Sequence, residues 1–226
     1  MSSAADLREI PLARILVFGG AIALAGILCS PAWARHSYAL RVCDPEAGDA
    51  VQPSIQALNR LKNRSVAPAP TDIAKTVTLR AMIAPGDDTN RWNANRGAAV
   101  VGYVADVKPG GIETTNCHAR SLHGRDTHID LTVSASDASD ETRHVIVEVT
   151  PRWRTVMAAK GVNWATDYLQ QTILGHCLEV TGWLLFDAEH RNESANTAEP
   201  GREVWRATAW EAHPITSMRA LPSCPS

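Results

Sequence analysis

Residues 127–134 read THIDLTVS and residues 144–150 read HVIVEVT, and these two stretches decide the fold. In each of them aliphatic residues alternate with polar ones, and successive side chains of a β-strand point to opposite faces of the sheet. The segment 134–142 between them is polar and is typical of a hairpin loop. The two stretches therefore predict an antiparallel hairpin with one aliphatic face and one polar face.

Runs with the same β-strand character lie on both sides of this hairpin. Four of them predict further strands, at residues 76–83, 98–107, 177–186 and 204–215. Between the hairpin and the third of these runs, Leu169, Ile173 and Leu174 recur at helical spacing. A short helix is therefore expected over residues 165–174.

The order of these elements is that of the oligonucleotide/oligosaccharide-binding barrel, or OB-fold. This Greek-key barrel has five strands, with one helix between the third and the fourth. The run 76–83 adds a sixth strand or forms the first half of a bent first strand. A β-sandwich stays open as the alternative, because a sequence does not distinguish a closed sheet from two stacked sheets. We expect a mainly β, five- to six-stranded OB-like barrel over residues 76–222.

The N-terminal residues indicate export. Residues 15–29 carry no charge and are followed by PAWA at 31–34, which is typical of a secretory signal cleaved after Ala34. The alternative is an uncleaved membrane anchor, because residues 15–34 just reach across a bilayer. Segment 1–34 therefore predicts a periplasmic or extracellular protein without stable membrane insertion, or one anchored in the inner membrane and facing the periplasm.

A Pro-rich extension at residues 35–75 precedes the barrel. Within it, Ile55, Leu58 and Leu61 recur at helical spacing after Ser54, which is a suitable N-cap. We expect a short amphipathic helix here that packs on the barrel.

Four cysteines follow the signal segment, and an even number in an exported chain predicts two disulfides. Three pairings exist, and the favoured one joins Cys43 to Cys224 and Cys117 to Cys177. A metal site at Cys117 and His118 is the competing interpretation. It is disfavoured because the chain has no C-x-x-C pair.

Charge and motifs limit the classes of function. The formal net charge is −2, so no overall basic field gathers polyanions, although a local patch stays compatible with this value. The G-x-S-x-G elbow, the H-E-x-x-H helix, the phosphate-binding loop and the dinucleotide fingerprint are all absent from the sequence. The common hydrolase and nucleotide-binding signatures therefore give no assignment.

The polar face of the predicted hairpin combines imidazoles with carboxylates. His128, Asp130, His144 and Glu148 all project to this side. Such groups bind divalent metals or transfer protons near neutral pH. A solvated sheet face with ordinary cross-strand ion pairs is the alternative.

Two further acid–imidazole pairs lie near strand ends. Glu211 and His213 are two residues apart, so one strand presents both side chains to the same side. Surface ion pairs with Arg206 or Arg219 are the alternative for this pair. The segment 187–190, which reads DAEH, stands where the fourth barrel strand ends.

Five segments of the chain resemble those of uncharacterised bacterial exported proteins with an OB-like barrel. They are VVGYVADVKPGGIETTNCHA from Val100, DTHIDL from Asp126, VIVEVTPRW from Val145, VTGWLLFDAEH from Val180 and WRATAWEAHPITSM from Trp205. The resemblance covers residues 76–221 and implies a polar set without roles. This set is Asp126, His128, Glu148, Arg152, Asp187, His190, Glu211 and His213.

The first functional hypothesis is an exported OB-like module that binds an anionic or oligomeric ligand, either nucleic acid or glycan. Arg152 and Arg154 suit phosphate or carboxylate, and Trp153 suits a base or a sugar ring. Ligands of OB-folds usually lie across the second and third strands. The candidate ligand-binding residues are Asp126, His128, Glu148, Arg152, Trp153 and Asp187.

The alternative hypothesis is a metal-dependent hydrolase, similar to a phosphodiesterase. It requires a divalent metal as cofactor, together with a general base for a metal-bound water. The candidate metal ligands are His128, Glu148, His190, Glu211 and His213.

Overall fold

The structure is a computed structural model that describes residues 43–224. The signal or anchor predicted for residues 1–34 lies outside the described residues. Five strands close into a barrel in the order β1-β2-β3-β5-β4. These strands are β1 (Gly97–Pro109), β2 (Thr127–Thr132), β3 (Val145–Val149), β4 (Cys177–Phe186) and β5 (Trp210–Leu221). The result is a closed five-stranded β-barrel, consistent with an OB-like barrel.

The predicted hairpin is formed by β2 and β3, which pair in antiparallel fashion with His128 opposite Glu148. β3 then contacts β5 in parallel, with Val147 beside Ala212. The aliphatic face of the hairpin fills the barrel core with Ile129, Leu131, Val145, Val147 and Val149. The inward direction of these aliphatic residues sends the polar residues between them to the outer face of the barrel.

Four α-helices surround the strands: α1 (Pro53–Lys62), α2 (Leu79–Met82), α3 (Pro151–Ala158) and α4 (Thr166–Ile173). α3 and α4 lie between β3 and β4 in the chain, and a 3₁₀ helix at Ala188–Glu193 follows β4. About 28% of the residues are helical and about 28% lie in strands, so the fold contains more helix than the mainly β prediction implies. None of the helices within residues 43–224 has the length and apolar character needed to cross a bilayer.

Two strand predictions need correction. The run 76–83 forms no strand, because Thr78 caps α2 by accepting a hydrogen bond from the Ala81 amide. Leu79 and Met82 are buried three residues apart, a spacing that places both side chains on one side of a helical turn but on opposite faces of a strand. The last strand begins at Trp210 rather than at residue 204.

Helix α1 belongs to the same compact unit as the barrel. It begins at Pro53 after the N-cap residue Gln52, so Ser54 lies in its first turn and is not the cap. The buried Asn59 side chain donates hydrogen bonds to the carbonyl of Ala47 and to the hydroxyl of Thr114. Specific polar contacts therefore hold this helix against the loop that follows β1.

The two predicted disulfides are present, but the favoured pairing is wrong. Cys43 is bonded to Cys117, and Cys177 is bonded to Cys224. Cys177 lies opposite Leu221 at the end of β5, so the strand pairing itself brings Cys224 to Cys177. The interpretation of Cys117 as a metal ligand is also wrong, because its sulfur forms a disulfide.

Candidate metal centre

The polar face of the hairpin is buried, so the interpretation as a solvated sheet face is wrong. His128 is 8% exposed and Glu148 is 2% exposed. His144 and Asp130, towards the other end of the hairpin, are buried as well. Burial makes the pairing of these charges far more consequential than it is on a surface.

Four side chains converge on the outer face of β2, β3 and β5, and we call them the central cluster: Asp126, His128, Glu148 and His213. His128 Nε2 lies 3.0 Å from Glu148 Oε1. His213 Nδ1 lies 3.6 Å from Glu148 Oε2, and His213 Nε2 lies 3.8 Å from Asp126 Oδ2. Ligand atoms of Asp126, Glu148 and His213 lie within 4.8 Å of one another, close enough to hold one metal ion.

The strand register produces this convergence. His128 and Glu148 face each other directly across the hairpin. Ala212 faces the core beside Val147, so its neighbour His213 points to the outer face, next to Glu148. Asp126 precedes β2 by one residue and lies on the same side as His128.

Several polar atoms of the central cluster have no hydrogen-bond partner. Both carboxylate oxygens of Asp126 are in this state, although the residue is only 2% exposed. Glu148 Oε2 and His213 Nε2 also lack a partner, and His128 Nε2 approaches Glu148 without hydrogen-bond geometry. Buried polar groups in proteins are nearly always satisfied, so these atoms point to a ligand that binds between them.

The cluster is strongly coupled electrostatically. Burial opposes protonation of His128 and His213, but the surrounding carboxylates, with Glu148 the largest contributor, together outweigh burial and raise the pKa of each imidazole to about 9. Burial raises the pKa of Asp126 to about 6, despite the neighbouring His213. Burial also favours a raised pKa for Glu148. His128 and His213 outweigh burial and hold the pKa of this carboxyl below its usual value.

A second group of possible metal ligands lies beside the central cluster, and we call it the lateral group: Asp187, His190 and Glu211. Its ligand atoms also lie within 4.8 Å of one another. Here, however, Lys62 Nζ lies 3.0 Å from Asp187 Oδ2, and Arg206 donates a 2.7 Å hydrogen bond to Glu211 Oε1. Burial disfavours the charged form of Lys62, but Asp187 and Glu113 outweigh it and raise the pKa of this ammonium. The lateral group is therefore already paired with cations.

Glu211 connects the two sets of residues. Its Oε2 lies 3.2 Å from His213 Nδ1, so this ring nitrogen is the donor in the contact. His213 Nε2 is thereby directed towards Asp126. In metal sites, the ring nitrogen of a histidine that does not bind the metal commonly donates a hydrogen bond to a carboxylate.

Most of the residues predicted as metal or ligand contacts come together here, but Arg152 and Trp153 do not. The Trp153 ring packs in the core, and its Nε1 donates a hydrogen bond to the Arg64 carbonyl at 2.9 Å. Arg154, named with them in the binding hypothesis, is buried and donates to the carbonyls of His123 and Arg125. Arg152 is half-buried beside the end of α1. The contacts of Trp153 and Arg154 are those of structural residues.

Lys62 is the functional residue that the sequence analysis missed. It lies in the last turn of α1 and is 1% exposed. Lys62 follows Leu58 by four residues and Ile55 by seven, so the helical spacing places it on the apolar face of its helix. A lysine on that face is the signal that could have revealed a buried charge.

The central cluster offers two carboxylates and two imidazoles. Such mixed nitrogen and oxygen donors bind first-row transition metals and zinc. Comparison of the sequence with models of known protein families and with curated proteins found no match.

Proposed function

We propose that the protein is an exported OB-like barrel that binds one divalent transition-metal ion in the central cluster. The strand order, together with the parallel contact between β3 and β5, supports the OB-like assignment. The two disulfides support export to an oxidising compartment. The resemblance to bacterial exported proteins is in line with this proposal and stays a prediction.

The observation that carries the proposal is the buried carboxylate of Asp126. Among residues 43–224, no lysine or arginine forms an ion pair with Asp126 or Glu148. The two carboxylates match the charge of a divalent cation when both imidazoles are neutral. A metal ion between them satisfies the oxygens of Asp126 and the free nitrogen of His213 at once.

The donor set also indicates which metals are suitable. Calcium and magnesium prefer shells made of oxygen atoms. His213 instead supplies nitrogen to the group of ligand atoms within 4.8 Å, and His128 lies beside it, which favours Zn²⁺, Co²⁺, Mn²⁺ or Fe²⁺. We therefore expect Co²⁺ to compete with Zn²⁺ for the same site, and Ca²⁺ to displace neither.

The test is a titration of the purified full chain with Co²⁺, followed by visible absorption and checked by elemental analysis. The expected result is one Co²⁺ per chain, and loss of binding in Asp126→Asn and Glu148→Gln. Asp130→Asn is the matched control for Asp126→Asn, and His144→Gln changes a buried imidazole at the other end of the hairpin face. Failure of the wild-type chain to bind Co²⁺ or Zn²⁺, or equal binding by Asp126→Asn, would reject the proposal.

A metal-dependent hydrolase is the second candidate, and one observation favours it. The side chains of His190 and Glu113, at the edge of these buried charges, are 26% and 21% exposed. The charged network therefore reaches the protein surface. The test is hydrolysis of a chromogenic phosphodiester with added Zn²⁺ or Mn²⁺. Activity lost in His128→Gln and kept in His144→Gln supports this candidate, whereas no turnover with any divalent ion removes it.

Binding of nucleic acid or glycan has less support from the geometry. Trp153 and Arg154, which were expected to contact such a ligand, are engaged in the core and with backbone carbonyls. His128, another expected contact, is buried and paired with Glu148. A salt-sensitive shift of the protein with single-stranded oligonucleotides would revive this candidate.

A further inference from the structure

The lateral group resembles the central cluster in composition but differs in what lies within it. Asp187, His190 and Glu211 offer two carboxylates and one imidazole, at distances that suit a metal ion. Glu211 also contacts His213 of the central cluster, so the two sets of residues are direct neighbours. Two metal ions held by neighbouring carboxylates and imidazoles are a common arrangement in proteins.

Lys62 places a fixed positive charge in the lateral group. Its ammonium lies 3.0 Å from Asp187 Oδ2 and 2.9 Å from Glu113 Oε2. The side chain is only 1% exposed, and burial of an ammonium is costly unless anionic oxygens surround it. The ammonium is therefore bound by carboxylate oxygens, as a metal ion is.

We propose that Lys62 takes the place of a second metal ion and so limits the protein to one metal ion per chain. Lys62 is then a specificity-determining residue for the number of metal ions. This inference rests on the proposed function of the central cluster.

The charges of the lateral group support this assignment. Three carboxylates, those of Glu113, Asp187 and Glu211, face two cations, Lys62 and Arg206. With His190 neutral, as a metal ligand must be, removal of the Lys62 charge leaves an excess of two negative charges, which one divalent ion balances. His190 Nδ1 already lies 3.1 Å from Asp187 Oδ2 and can serve as the nitrogen ligand.

The test compares Lys62→Gln with Lys62→Arg in the full chain. Glutamine removes the charge while keeping a polar side chain, and arginine keeps the charge. Co²⁺ titration and native mass spectrometry are expected to give one ion for the wild type, two for Lys62→Gln and one for Lys62→Arg. A further variant, Lys62→Gln with Asp187→Asn, is expected to return to one ion.

Each outcome separates this inference from the proposed function. Absence of metal from the wild type rejects the proposed function, and this inference with it. One ion in both the wild type and Lys62→Gln rejects this inference alone. If Lys62→Gln unfolds in metal-free buffer, it is prepared with excess Zn²⁺, and two bound ions in the folded protein are expected. Failure to fold even with excess Zn²⁺ counts against the inference, because the metal ion should replace the ammonium.

Discussion

The two ends of the polar hairpin face carry the same kinds of side chain but differ in their partners. At one end, Asp130 Oδ2 lies 3.1 Å from His144 Nδ1 and 2.9 Å from the Lys108 ammonium. The other nitrogen of His144 lies 3.1 Å from the carbonyl of Ala138, so both ring nitrogens have a partner. Of the Asp130 oxygens only Oδ1 lacks a partner, whereas at the end that contains the central cluster both oxygens of Asp126 lack one. Imidazole and carboxylate on one strand face therefore do not define a site, and the partners supplied by other segments make the difference.

The largest expected difference between the two ends is in stability. Glu148→Gln takes the paired carboxylate from the buried imidazole of His128 and leaves His213 with only Glu211 and Asp126, and we expect it to lower the free energy of unfolding by about 3–5 kcal/mol. Asp130→Asn is expected to cost less, because its partner Lys108 is 40% exposed and water screens that charge. Urea denaturation of both variants measures the difference. Equal losses would show that the two ends are alike.

The pH dependence of stability should also distinguish the two ends. In metal-free protein, the pKa values of His128 and His213 are raised from 6.5 to about 9, because the surrounding carboxylates, Glu148 above all, outweigh burial. Their contribution to stability is therefore complete below pH 6.5 and is lost as the pH rises to about 9, by up to roughly 3 kcal/mol for each imidazole. Urea denaturation across this range, with chelator present, measures the decline. His128→Gln should flatten it and His144→Gln should keep most of it, whereas the reverse would place the effect at the other end.

The rise in stability on metal binding should depend on the central cluster and not on the other end of the hairpin face. At a free metal concentration about 100 times Kd, binding to the folded state adds about 2.7 kcal/mol. For a domain of this size, Tm is expected to rise by roughly 5–10 °C. Thermal unfolding with Zn²⁺, and then with excess chelator, measures the change and its reversal. Asp126→Asn should show no rise, and a rise of the same size in that variant would contradict the assignment.

The smallest effect is expected from His144→Gln. This substitution removes an imidazole whose two nitrogens already have partners, so it should lower stability by about 1 kcal/mol. The affinity for Co²⁺ should change by less than about twofold, since His144 lies outside the central cluster. A large loss of affinity, measured by the same absorption titration, would extend the metal centre along the whole hairpin face.

The sequence was sufficient for the features that depend on local alternation. The hairpin, the strand over residues 177–186 and the convergence of His128 with Glu148 follow from period-two patterns and cross-strand register. The run 76–83 misled because β-branched residues at 76–78 and at 83 favour a strand, whereas only four residues form the helical turn α2. Short runs of this kind carry too little periodicity to separate helix from strand.

The surroundings of the site could not be predicted, because they depend on contacts between distant parts of the chain. The Lys62 ammonium comes from α1, and its partners Glu113 and Asp187 come from loops far along the sequence. The disulfide pairing depends on the same long-range arrangement. Alternation indicates which side of a strand a residue faces, but it does not reveal what covers that side.

The bond between Cys43 and Cys117 ties the segment before α1 to the loop that follows β1. It joins the segment that carries α1 to the loop that carries Glu113, across 74 residues of sequence. Closing a loop of this length removes conformational freedom from the unfolded chain worth about 4 kcal/mol. Reduction of this bond removes that contribution to the packing of α1 on the barrel. If the central cluster binds a metal ion as proposed, we expect a thiol reductant to accelerate exchange of this ion with a chelator.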